Sequence, residues 1–102
     1  MKKIKLFLSY NCYPMWIYEE NGELLKNDIA DELNDQLYIK KQLDLIQLTY
    51  NNLFINNETE FKYNGYSDVL EKEDFQKRVD KLVEQIHIKL DQIYSIENKI
   101  II

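Results

Sequence analysis

Residues 2–22 read KKIKLFLSYNCYPMWIYEENG. Whether they form strands or a sticky arm separates an α+β domain from a plain helical hairpin. Residues 2–9 alternate, with Ile4, Leu6 and Leu8 on one side and Lys3, Lys5 and Phe7 on the other, which is the period-2 signature of a strand. Pro14 interrupts any ladder and forces Tyr13 into an extended conformation. Residues 15–19, MWIYE, are rich in β-formers and predict a second strand. Asn21-Gly22 predicts a two-residue type I′ hairpin. Glu23 to Lys26 is then the short return strand.

Asn27 or Asp28 is placed to cap a following helix, with Asp31 and Glu32 suited to its positive end. Over 30–53 the period becomes helical. Ile39, Leu43, Ile46, Tyr50 and Leu53 form an apolar stripe, Leu33 and Leu37 extend it, and Leu45 and Leu48 widen it. Residues 54–66, FINNETEFKYNGY, predict a loop in which Phe61 and Tyr63 form a short extended piece. Ser67 and Asp68 open a second helix over 69–94, striped by Phe75, Val79, Leu82, Ile86, Leu90 and Ile93. The β-branched end predicts a strand over 96–102. The expected fold is therefore α+β: a small antiparallel sheet, made of the N-terminal hairpin and the C-terminal strand, covered by a long two-helix antiparallel hairpin.

A chain of 102 residues with 45% apolar and 30% charged residues is expected to form one domain, residues 1–102. One Cys excludes an internal disulfide and a multi-Cys zinc site. The apolar run Ile4–Leu8 is interrupted by Lys5 and is too short for an export signal, and no stretch approaches a membrane span. A cytoplasmic protein is expected. The net charge of −5 disfavours direct binding to nucleic acid.

Catalytic signatures are weak. His87 has Glu84 and Asp91 at i−3 and i+4 and reads as a surface or boundary histidine. Cys12 lacks a cationic neighbour in sequence and reads as a small packing residue. Paired carboxylates arise by chance in a chain with 18 acids. There is no Gly-rich phosphate loop and no metal-ligand spacing. The expectation is a non-enzymatic protein without catalytic residues, cofactor or metal.

Charge distribution is more informative. Residues 1–18 carry three lysines and no acid, while residues 19–35 carry seven acids against Lys26 alone, a net of −6. Glu19, Glu20, Glu23, Asp28, Asp31, Glu32 and Asp35 thus follow directly on Trp16 and Tyr18. Acids beside exposed aromatics suit a basic protein partner, because charge steers encounter while Trp and Tyr anchor it. If Trp16 instead packs inward, the acids only solvate a helix start. Tyr13, Tyr63 and Tyr66 add further candidate contact rings.

Two segments, WIYEENGELLKNDIADEL (16–33) and LFINNETEFKYNGY (53–66), resemble small acidic immunity proteins of bacterial polymorphic toxin systems in Gram-positive bacteria. The resemblance touches about a third of the chain. It implies a cytoplasmic inhibitor that binds one cognate toxin domain and blocks its active site. On that expectation the partner-binding residues are Trp16, Tyr18, Glu19, Glu20, Glu23, Asp28, Asp31, Glu32 and Asp35. The alternatives are a helical adaptor or chaperone for a secreted effector, and a phage-encoded acidic inhibitor that mimics nucleic acid.

Overall fold

The computed structural model describes all 102 residues. Strands β1 (Lys2–Leu6), β2 (Met15–Tyr18), β3 (Leu24–Lys26) and β6 (Tyr94–Asn98) form one sheet in the order β3-β2-β1-β6. Between them the chain forms helix α1 (Leu37–Asn51), a two-stranded hairpin of β4 (Phe54–Asn56) and β5 (Phe61–Tyr63), and helix α2 (Val69–Leu90). The architecture is α+β, with the N- and C-terminal strands sharing a sheet. That sheet is mixed rather than wholly antiparallel, since β6 lies parallel to β1 with Ile4 opposite Ile96. The helices are the crossover that a parallel return requires.

Alternation along β1 and β2 settles which side is buried. Ile4 pairs with Ile17 and Leu6 with Met15, and all four face the helices. They meet Ile39, Leu43 and Ile46 of α1 and Phe75, Val79, Leu82, Ile86 and Leu90 of α2 in one core. The helices are antiparallel: Arg78 Nη2 donates to Thr49 Oγ1, while Lys81 lies over the ring of Tyr38 further back along α1.

Several local expectations change. The β2–β3 turn is not a two-residue type I′ loop, because Asn11 is the only non-glycine residue with positive φ. Gly22 N donates to the Glu19 carbonyl and Glu19 N to the Glu23 carbonyl, so Glu20, Asn21 and Gly22 form a three-residue loop. Gly22 alone takes φ +91°, as in a type I turn closed by a glycine bulge. The Asn21 carboxamide accepts from Glu23 N and holds the loop.

The first helix starts at Leu37, not near residue 30. Residues Asp31–Leu33 make a single 3-10 turn, then the chain breaks. Asp31, Asn34 and Asp35 favour local turns over continued helix. Neither Asn27 nor Asp28 caps α1. Asn27 instead serves β2: its Nδ2 donates to the Tyr13 and Met15 carbonyls and its Oδ1 accepts from Tyr13 N. This side chain supplies the ladder partner that β3, which ends at Lys26, does not reach.

The inter-helix segment is a β-hairpin rather than a loop, and α2 ends at Leu90, so that Tyr94 starts β6 two residues before the expected strand. Asp68 caps α2 by accepting from Glu71 N, and Ser67 donates back to the Glu71 carboxylate. Lys99 N still donates to the Leu6 carbonyl, and beyond it the chain leaves the ladder, with Ile100 and Ile102 packed against the core.

Candidate functional site

The strand parity that buries Ile4 and Ile17 turns Lys3, Lys5, Trp16 and Tyr18 to the opposite side, which no helix covers. Trp16 is therefore on the outer face of the sheet. It stacks on Phe7, with ring centroids 4.5 Å apart and planes within 7°, and its Nε1 donates to the Phe7 carbonyl. Lys5 lies over the Tyr18 ring at 4.9 Å, and Lys3 pairs with Glu97 at 2.7 Å across β1 and β6. These contacts set the rings in fixed positions with their flanks half-exposed. The Lys3 ammonium beside Glu97 holds that carboxyl below the usual glutamate range.

The hairpin tip adjoins this face. A small hollow of about 130 Å³ is lined by Met1, Lys3, Lys5, Tyr18, Glu19, Glu20 and Gly22. Glu20 is held ionised by the α-amino group of Met1, 2.7 Å away. Glu19 and Glu23 form no ion pair.

The other four acids lie elsewhere. Asp31 pairs with Lys26 at 2.8 Å, and that contact lowers its pKa. Glu32 accepts from the Tyr94 hydroxyl at 2.8 Å, and Tyr94 belongs to the core-facing side of β6. Asp28 accepts from Ile29 N, and Asp35 sits beside Gln36 after the 3-10 turn. Trp16, Tyr18, Glu19, Glu20 and Glu23 belong to β2 and its connection to β3, whereas Asp28, Asp31, Glu32 and Asp35 follow β3 and stay exposed around the 3-10 turn. Asp31 is tied back to β3 through Lys26.

No family model matches this chain, and no curated protein matches it. Its surfaces must be read from their own chemistry.

Phe7 was not among the expected contact residues, although its parity with Lys3 and Lys5 marks it as outward. A second exposed aromatic group forms where the segment 53–66 folds back. Phe54 and Phe61 stack at 5.5 Å, Tyr10 meets both edge-on, and Tyr50 and Tyr63 flank Phe54. Phe61 and Tyr63 each remain 55% exposed.

His87 Nδ1 lies 2.7 Å from Asp91 Oδ1 on the outside of α2, the i,i+4 pair its spacing suggests. Cys12 is partly exposed in the β1–β2 connection. No helix is long and apolar enough to cross a membrane.

Proposed function

We propose that this chain is an immunity protein: a non-enzymatic inhibitor that binds a cognate secreted bacterial toxin domain and occludes its active site in the cytoplasm. The observation that carries the reading is the outer sheet face, where fixed Trp16 and Tyr18 rings stand beside the carboxylates of Glu19, Glu20 and Glu23. A toxin cleft that holds an anionic substrate is lined by Lys or Arg. Carboxylates on a rigid hairpin tip would pair with those cations, and the rings would cover the cleft. The resemblance of segments 16–33 and 53–66 to acidic immunity proteins supports the same reading.

The adaptor alternative calls for a continuous apolar stripe on the helices. The exposed apolar residues are instead split into small groups: on α1 Lys41 separates Leu37 and Tyr38 from Leu45 and Leu48, and on α2 Lys77, Lys81 and Glu84 separate Val69 and Leu70 from Ile88. The proposal predicts that a gene beside this one encodes a large secreted protein. The purified C-terminal domain of that protein should lose activity on adding one equivalent of the chain. Full activity in the presence of excess chain would refute the proposal, as would the absence of such a gene.

A further inference from the structure

Asparagine followed by glycine occurs twice, at Asn21-Gly22 and Asn64-Gly65. Glycine has no side chain to shield its backbone nitrogen, so that nitrogen can approach the carboxamide carbon of the asparagine before it. The fold holds the two positions differently. Asn21 lies in the loop between β2 and β3, where Glu20, Asn21, Gly22 and Glu23 are all exposed. Open space surrounds Gly22 where a Cβ would stand.

Asn21 Oδ1 accepts from Glu23 N at 3.0 Å. An Asx turn of this kind closes the ring of a β-turn, with the side chain replacing part of the backbone. The ring spans the Asn21–Gly22 peptide bond and curls Cγ back toward Gly22 N. The Glu23 N–H is also aimed at the oxygen that becomes anionic when the carboxamide is attacked, which is the role of an oxyanion donor.

Other asparagines supply one half of this arrangement each. Asn57 and Asn98 make the same i→i+2 bond, to Thr59 N and Ile100 N, but Glu58 and Lys99 follow them. Asn64 has the glycine, yet Asn64 N and Gly65 N both donate to the Leu53 carbonyl, at 2.6 and 3.0 Å, which ties the attacking nitrogen down beside α1. Gly22 N has a single bond, to the Glu19 carbonyl at the open end of the hairpin. Asn21 alone combines the Asx turn with a following glycine.

We infer that Asn21 is a site of spontaneous modification, at which the fold itself promotes deamidation. Gly22 N gives up its proton to hydroxide and forms a bond to Asn21 Cγ. The Cγ–Nδ2 bond then breaks, and the nitrogen leaves as ammonia after taking a proton from water, which returns the hydroxide. A succinimide ring remains. Water adds across one of its carbonyl–nitrogen bonds and opens it to aspartate or isoaspartate. Aspartate adds a carboxylate beside Glu19, Glu20 and Glu23. Isoaspartate lengthens by a methylene the backbone of the loop that presents them. The inference is independent of the function proposed above.

The test incubates the intact chain at mildly alkaline pH, folded and, in parallel, unfolded in urea. Peptide mass spectrometry follows conversion at Asn21, Asn57, Asn64 and Asn98, and an isoaspartate-specific methyltransferase assay detects the isomer. In urea both Asn-Gly pairs should convert at similar rates. In the folded chain Asn21 should keep at least its unfolded rate and exceed Asn64 by at least about fivefold, because the reacting atoms are already brought together. Asn57 and Asn98 should stay behind both. A folded rate at Asn21 below its unfolded rate, or no faster than that of Asn64, would overturn the inference.

Discussion

Asn27 shows how much one side chain can decide. Its three hydrogen bonds complete the edge of β2 where β3 has ended. Asn27→Ala leaves the Tyr13 and Met15 backbone groups without partners and should cost about 2–3 kcal/mol in urea unfolding. Asn27→Asp keeps the acceptor for Tyr13 N but sets an anionic oxygen against the Tyr13 and Met15 carbonyls, and should cost at least as much as Asn27→Ala at neutral pH. Three tyrosines define the alkaline limit. Burial pushes the hydroxyls of Tyr13, Tyr66 and Tyr94 up to about 12, helped by Asp44 at Tyr13, by Tyr63 and Glu71 at Tyr66 and by the bonded Glu32 at Tyr94. Folding therefore favours the neutral phenols over an unfolded value of about 10. Their contribution is complete below pH ~10 and is lost as pH rises toward 12, the folded value. Phenolate absorbance should show Tyr13, Tyr66 and Tyr94 ionising late, together with unfolding.

Within single elements, periodicity is a reliable guide only when the element is unbroken. The stripe Phe75, Val79, Leu82, Ile86, Leu90 is buried throughout, because α2 runs without interruption across it. The stripe Ile39, Leu43, Ile46 is buried for the same reason, whereas Leu37 is 76% exposed. The break at Asn34–Gln36 resets the helical phase, so Leu33 reaches the core from a separate turn and Leu37 points away. Leu43→Ala should accordingly cost about 2–5 kcal/mol, while Leu37→Gln should change stability by less than about 0.5 kcal/mol in the same urea experiment. A large loss from Leu37→Gln would place the start of the helix earlier. Strand parity in β1 and β2 was equally legible, and it already placed Phe7 with the two lysines. The parallel direction of β6 was not, because apolar, β-branched residues specify a strand without its direction. The fate of Trp16 was also hidden. Parity puts it opposite Met15 and Ile17, but only the absence of a helix on that side makes the face open.

For the molecule as a whole, the hairpin tip keeps Glu19, Glu20 and Glu23 beside the outward rings, and the four acids after Lys26 remain exposed beyond β3. A partner engaged through the outer face should approach under electrostatic steering, with a rate that falls as salt rises. The most direct test of the proposed function is the association rate between the chain and a purified toxin domain that it neutralises, measured across ionic strengths for wild type and for the combined Glu19→Lys, Glu20→Lys, Glu23→Lys variant. The account predicts association slowed by at least about tenfold at low salt and a flattened salt dependence, with the fold intact. An unchanged rate and salt slope would contradict it.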